Sequence, residues 1–192
     1  MALGFKMGAS GEKPRTETYN VTQNGTFDMG AKNLYRYVNA NISDKIAYQT
    51  GSLPSTINYG FTFDSDTQPV VFLKSNYSIK VNRKRVTNIN NSNCTLSGSN
   101  TNYDNIFIIG IPKSAIKNYA FETQTISAGT NTATFDLSFK ISDTTKCAVI
   151  MSGDGDYCSI SQYTDYTRIS FPLGSISPTQ ARYVSIQVIE FN

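Results

Sequence analysis

Short segments in which apolar and polar residues alternate follow one another along most of this chain, and they limit its fold more than any other feature. Residues 132–142 show the pattern most cleanly, with Phe135, Leu137, Phe139 and Ile141 separated by polar residues. A period of two places alternate side chains on opposite faces of a β-strand. Gly, Asn, Asp and Pro separate the segments and favour turns. We therefore predict an all-β fold, an antiparallel β-sandwich of jelly-roll type.

The predicted core consists of apolar residues that alternate in these segments or stand in runs apolar on both faces. Residues 106–111 predict a central strand covered on both sides, and residues 183–191 predict a last strand within the sheet. Residues 112–119 start with Pro and predict a short helix. Residues 87–100 are polar and predict a long loop that carries a binding surface. The predicted core residues are Phe61, Phe63, Ile108, Phe135, Leu137, Phe139, Ile141, Val149, Ile186 and Val188.

The first 50 residues differ from the rest of the chain. Residues 1–17 are rich in Gly and predict an extended arm without a core of its own. Residues 18–50 predict a small β unit, in which two alternating segments flank an Asn-Gly turn. We predict that residues 1–50 form an attachment segment and that residues 51–192 form the β-sandwich. No internal repeat is visible in the sequence.

The residue content excludes several classes of function. The chain has 192 residues, a net charge of +3 and no histidine. Catalysis by Ser–His–Asp or Cys–His groups and metal sites with histidine are therefore excluded. The charge is too small to predict nucleic-acid binding, and no apolar run reaches the roughly 18 residues of a membrane span. A glycosidase that uses two carboxylates remains chemically open, but we predict a non-enzymatic protein without cofactor or metal.

Two groups of residues allow more than one interpretation. Cys147 and Cys158 flank a Gly-Asp turn and could form a disulfide, although free, half-buried thiols in a protein folded in a reducing cytoplasm are the favoured interpretation. Asp154 and Asp156 could bind calcium, but a tight turn explains both residues without a metal. Cys94 has no such neighbour in the sequence.

Two surface stretches are candidates for binding a ligand or partner. One is a basic cluster, which either docks an anionic partner or is a solvated hairpin tip, the favoured interpretation. The other is the polar and aromatic stretch at residues 161–168, since Tyr combines contact area with a hydroxyl group. This stretch either binds a saccharide or protein partner or is a sheet edge and loop with ordinary half-buried tyrosines, the favoured interpretation. The candidate residues are Lys80, Arg83, Lys84 and Arg85 in the first stretch and Tyr163, Asp165, Tyr166 and Arg168 in the second.

The small β unit contains the segments Tyr19-Asn-Val-Thr-Gln-Asn-Gly-Thr-Phe-Asp-Met-Gly30 and Asn33-Leu-Tyr-Arg-Tyr-Val-Asn-Ala-Asn-Ile42. The sequence of these segments resembles a stretch near the start of structural proteins from tailed bacteriophages and prophages of Gram-positive bacteria. The resemblance covers about residues 18–42. It implies a virion protein, made in the bacterial cytoplasm and attached to the particle through its N-terminus. The candidate anchoring residues are Phe5, Tyr19, Tyr35, Arg36 and Tyr37.

Within the particle, the resemblance leaves a tail or baseplate accessory and a capsid decoration or head fibre open. The expected partners are other virion proteins and further copies of the same chain. The alternative function is a host-attachment module that binds a cell-wall glycan through the tyrosine-rich stretch.

Overall fold

The computed structural model describes residues 45–75, 83–98, 104–154, 159–172 and 181–192. These residues form an all-β structure with antiparallel sheets, which confirms the predicted fold class. The only helical segments in these ranges are 3₁₀ turns at Lys113–Ala115 and Thr144–Lys146. The strands are β1 (Ile46–Gly51), β2 (Thr56–Asn58), β3 (Thr67–Ser75), β4 (Arg85–Ile89), β5 (Asn93–Ser97), β6 (Asp104–Pro112), β7 (Ile116–Ile126), β8 (Thr132–Asp136), β9 (Cys147–Gly153), β10 (Ser159–Gln162), β11 (Thr167–Pro172) and β12 (Arg182–Phe191).

In the described part of the chain, these strands form four sheets of three strands each. Strands β1-β6-β3 form a first inner sheet, and strands β2-β5-β4 form a first outer sheet. Strands β7-β12-β9 form a second inner sheet, and strands β8-β11-β10 form a second outer sheet. The middle strand of every sheet is antiparallel to both of its neighbours.

The second half of this structure repeats the strand order of the first half. Adding six to each strand number converts β1-β6-β3 and β2-β5-β4 into β7-β12-β9 and β8-β11-β10. Within each half, the six strands fold back on themselves, so that the first strand pairs with the sixth and the second strand pairs with the fifth. This is jelly-roll winding into two sheets. We call β1–β6 the first unit and β7–β12 the second unit. The two units thus share a strand order although no repeat is visible in the sequence.

Three apolar clusters hold the four sheets together. The first unit encloses a cluster between its own two sheets, and the second unit encloses another between its two sheets. The third cluster joins the two inner sheets and includes Val70, Ile109, Ile150 and Ile189. Both inner sheets are thus covered on both faces. This arrangement explains why β6 and β12 are buried on both faces, as predicted for residues 106–111.

Most of the predicted core is confirmed. Phe63, Ile108, Phe135 and Leu137 are buried, as are Ile141, Val149, Ile186 and Val188. Phe61 and Phe139 are only partly buried and pack against the margins of their clusters. Strand β8 ends at Asp136, but the alternating burial continues beyond it through Leu137 and Ile141. The alternation in residues 132–142 therefore identified the buried face correctly, although it overestimated the length of the strand.

Two predictions about local structure were wrong. Residues 112–119 contain only the 3₁₀ turn Lys113–Ala115 before β7 begins at Ile116, because β7 pairs with β12 along its length. Residues 87–100 were predicted as a loop, but they contain β5 and most of β4. Val86, Cys94 and Leu96 alternate inward there, so three buried residues are enough to hold a mostly polar hairpin in the sheet.

The predicted boundary between residues 50 and 51 falls within β1, which pairs with β6 in the first inner sheet. The structural description starts at residue 45, so the arm, the small β unit and the anchoring residues Phe5, Tyr19, Tyr35, Arg36 and Tyr37 lie outside the described residues. The division into an attachment segment and a displayed domain stays a prediction.

A buried glutamine connects the two units. The amide of Gln187 on β12 accepts a hydrogen bond from the N–H of Val71 at 2.9 Å and donates one to the carbonyl of Val71 at 2.5 Å. Val71 belongs to β3, an edge strand of the first inner sheet. Ser152 Oγ makes a comparable contact, since it accepts a hydrogen bond from the N–H of Val86 at 3.0 Å. Side chains of the second unit therefore satisfy edge backbone groups of the first unit.

Replacing Gln187 by Met should destabilise the protein because the side-chain volume is kept while both backbone groups of Val71 lose their partner. We expect a loss of about 2–4 kcal/mol, since each unsatisfied buried group costs about 1–3 kcal/mol. Urea unfolding followed by circular dichroism measures it. The exposed Gln49 on β1 provides the control, and Q49M should leave the midpoint unchanged. Equal midpoints for Q187M and the original protein would contradict the proposed role of this amide.

Candidate functional site

The tyrosine-rich stretch forms a tight turn at one end of the second outer sheet. Strands β10 and β11 pair as a hairpin, and the N–H of Tyr163 donates to the carbonyl of Tyr166 at 2.9 Å to close the turn. Thr164 and Asp165 at its tip are exposed. We call residues 163–166, together with Arg168 and Asp136, the tyrosine turn.

The two tyrosine rings of the turn are stacked. Their centroids are 4.5 Å apart and their planes differ by 3°. Among the described residues, two large hydrophobic side chains are exposed: Tyr163, at 39%, and Tyr48 on β1, at 53%. The stack therefore presents aromatic surface to solvent in a fixed orientation.

Arg168 lies beside this stack and is held by an acidic neighbour. Its Nε and Nη2 atoms donate to the two carboxylate oxygens of Asp136 at 2.6 and 2.7 Å. The two residues lie directly opposite each other on β11 and β8. The hydrogen bond from Arg168 lowers the pKa of Asp136, and the same bond raises the pKa of Arg168. The pair thus stays ionised, and its bidentate geometry fixes the guanidinium plane.

The guanidinium group lies beside the two rings and not across the outer face of Tyr163. It is 5.1 Å from the ring centroid of Tyr163 and 5.8 Å from that of Tyr166. A group on the outer face of Tyr163 would be separated from Tyr166 by nearly the sum of its distance to Tyr163 and the stacking distance. The observed distance is much shorter, so the outer face of Tyr163 is not covered by Arg168.

The base of the hairpin is fixed by a buried threonine. Thr167 Oγ1 accepts a hydrogen bond from the N–H of Ile141 at 2.9 Å and donates to Gln162 Oε1 at 2.7 Å. Gln162 in turn donates to the carbonyl of Ile141 at 3.0 Å. These bonds attach the hairpin to the loop after β8. Hydrogen bonds therefore fix the position of the turn relative to the sheet, and a pre-organised surface of this kind suits binding.

The basic cluster does not form one exposed surface. Lys84 is buried, and its Nζ donates to the carbonyl of Leu53, so it does not lie on a solvated hairpin tip. Arg85 is half-buried and stacks on Tyr183 at 4.2 Å, and burial lowers its pKa. The N–H of Arg83 donates to Asp154 at 3.1 Å. Lys80 lies outside the described residues. Sequence reasoning missed these contacts because they join residues distant in the chain.

Asp154, one of the two calcium candidates, is buried at the end of β9. Its carboxylate accepts hydrogen bonds from the N–H groups of Arg83 and Tyr183 at 3.1 and 2.9 Å, and burial raises its pKa despite these bonds. Both oxygens therefore accept hydrogen bonds from backbone N–H groups of residues distant in the chain. Asp156 and Cys158 lie outside the described residues, so the interpretations of calcium binding and of a disulfide at these positions stay predictions. Cys147 is buried on β9, and Cys94 is buried on β5.

The described residues contain no group of three or more His, Cys, Asp and Glu side chains that could hold a metal ion. Within the same ranges, no helix combines the length and hydropathy needed to cross a bilayer. No protein-family model matches the chain, and neither a curated protein nor a solved structure shows significant similarity to it.

Proposed function

We propose that this chain is a non-enzymatic structural or accessory protein of a tailed-phage particle, attached through its N-terminal segment and displaying the two jelly-roll units. The strongest support for this proposal is the resemblance of about residues 18–42 to the sequences of phage structural proteins. This segment precedes the described β structure, which begins at residue 45. The proposed location is the virion, either in the tail or baseplate or on the capsid. The proposed partners are other virion proteins and further copies of the chain.

The lack of histidine and the bonding of the acidic residues support a non-enzymatic role. Asp136, one of the two carboxylates of the tyrosine turn, is engaged by Arg168 through two hydrogen bonds. Glu190 and Asp154 are buried and accept hydrogen bonds from neighbouring residues. A glycosidase needs one carboxyl group to protonate the leaving group and a second to attack or to activate water. These three carboxylates are instead used in structural bonds.

A second candidate function is binding of a host cell-wall glycan, and the exposed tyrosine stack favours it. The two candidates can be separated with purified protein. Saturable binding to host cell walls supports the glycan-binding module. Binding only to particles that lack the protein supports the structural role.

Deletion of residues 1–17 should leave the unfolding midpoint unchanged and abolish incorporation into particles. The reason is that a Gly-rich arm cannot bury its own surface and is expected to gain its contacts on the particle. Particles assembled without the protein are mixed with each variant, separated by sedimentation and assayed for bound protein. Y163A serves as the control, because this substitution lies far along the chain and should not affect incorporation. Normal incorporation of the truncated chain would remove the arm from the attachment mechanism.

A further inference from the structure

We infer that the outer face of Tyr163, together with the Arg168–Asp136 pair, is a binding site for an uncharged saccharide. The inference deepens the second candidate function and rests on it for its biological setting. Three independent observations carry it: a comparison between the two units, the geometry of the site and its charge.

The comparison uses the first unit as an internal reference. The tyrosine turn joins β10 to β11, and its counterpart in the first unit is the turn at residues 90–92, which joins β4 to β5. The first turn holds the loop after β2. Ser92 and Asn91 accept hydrogen bonds from the N–H groups of Tyr59 and Phe63 at 3.0 and 2.9 Å. The Asn91 side chain also donates to the carbonyl of Phe63 at 3.1 Å. This turn therefore has a structural task.

In the second unit, that task falls to the strand ends and not to the turn. Thr167 accepts a hydrogen bond from the N–H of Leu137 and donates one to the carbonyl of Phe139, while Gln162 binds Ile141. The side chains of Tyr163 and Tyr166 contact each other and Arg168. The fold thus holds the loop without the two rings, so their stacked arrangement is available for a ligand.

The geometry suits a sugar ring. The aliphatic face of a sugar can stack on the exposed face of Tyr163, while its hydroxyl groups need both donors and acceptors at the rim. Arg168 has five N–H donors, of which two bind Asp136 and one approaches the Tyr163 hydroxyl at 3.5 Å. Arg168 therefore keeps donor capacity, and Asp136 keeps acceptor capacity. Because the salt bridge and the ring stack already fix these groups, binding costs little side-chain entropy.

The charge of the site favours an uncharged ligand over an anionic one. The charged residues of the tyrosine turn are Arg168, Asp136 and Asp165, so one positive group stands beside two negative groups. The carboxylate of Asp136 already neutralises Arg168. A phosphate-bearing wall polymer would meet excess negative charge here, and like charges in proximity are unfavourable.

The test is titration of the full-length protein with maltotriose, chitotriose and cellotriose, followed by NMR of labelled tyrosine rings. At least one of these uncharged trisaccharides should shift the NMR signals of Tyr163 and Tyr166 with a dissociation constant below about 10 mM, which is typical of weak binding. Y163A should lower the affinity about tenfold or more, whereas Y163F, which keeps the ring, should change it only slightly. Y48A is the matched control, because Tyr48 is exposed but has no described stacking partner. Y48A should bind like the original protein.

Three outcomes would overturn the inference. The first is that none of the trisaccharides shifts these signals. The second is that poly(glycerol phosphate) binds at the turn more tightly than the uncharged sugars, which would contradict the charge argument. The third is that Y48A loses as much affinity as Y163A. Because binding is measured on the isolated protein, a negative result leaves the proposed attachment to particles unaffected, and failure of incorporation leaves a positive sugar result intact.

Discussion

Replacing Phe135 by Ala is expected to destabilise the protein by about 3–5 kcal/mol, the usual cost of deleting a fully buried aromatic ring. Phe135 lies on β8, is 3% exposed and packs edge-to-face against Phe171 with centroids 5.9 Å apart. Its removal leaves a cavity between the second inner and second outer sheets. Urea unfolding gives the free energy, and the transition should stay single because the third apolar cluster joins the two units.

The matched substitution is Phe139→Ala, four residues further along the same alternating segment. Phe139 is only partly buried at the margin of the same cluster, so its loss should be clearly smaller than that of Phe135. Y163A should change the unfolding free energy by no more than about 0.5 kcal/mol, as surface substitutions usually do. Equal losses for the two phenylalanines would mean that the buried face of this segment is assigned incorrectly.

Replacing Glu190 by Gln should destabilise the protein by about 1–3 kcal/mol, because a buried carboxylate loses its charge and some of its hydrogen bonds. Glu190 lies on β12, and one carboxylate oxygen accepts hydrogen bonds from the N–H and Oγ of Ser142 at 2.7 and 2.5 Å. The other accepts one from Asn118 at 2.7 Å, and Lys117 lies 3.7 Å away. An amide has only one acceptor oxygen, so at least one of these donors would lose its partner.

The effect of E190Q should depend on pH. Burial alone raises the pKa of Glu190, but the hydrogen bonds from Ser142, Asn118 and Asp143 outweigh it and lower the pKa below its ordinary value of 4.5. A lowered folded pKa contributes stability above pH 4.5, and this stability is lost as the pH falls through the folded pKa. The difference between E190Q and the original protein should therefore be largest near neutral pH and shrink in acid. Urea unfolding of both proteins at neutral pH and in acid measures this difference in stability.

Glu122 on β7 provides the control for the charge. Burial raises its pKa, and the charge of Asp136 adds to the effect, so ionised Glu122 costs stability instead of supplying it. E122Q should leave the free energy of unfolding unchanged or raise it slightly at neutral pH. A pH-independent loss in E190Q would show that the carboxylate acts only through its shape. The raised pKa of Asp154 contributes with the opposite sign, but it is common to both proteins and cancels in the difference.

The alternating pattern was sufficient to predict the fold class and most of the core. Burial in a sheet depends on whether a residue points to one face or the other, and this is a local property with a period of two. Phe63, Phe135 and Val188 were therefore identified from their immediate neighbours alone. Tyr163 was a surface candidate only because its stretch is polar and outside every predicted core strand, and the stacking of its ring on Tyr166 was not predicted.

Pairing across long distances in the chain was decided only by the tertiary structure. Asp136 faces Arg168 because β8 lies beside β11, and no local pattern relates residues 32 positions apart. The same holds for Gln187, whose amide reaches Val71 from the other unit, and for Lys84, which is charged but buried against Leu53. At residues 112–119, pairing of β7 with β12 outweighed a local preference for a helix. The repeated strand order is likewise a property of pairing, so it could appear only once the sheets were known.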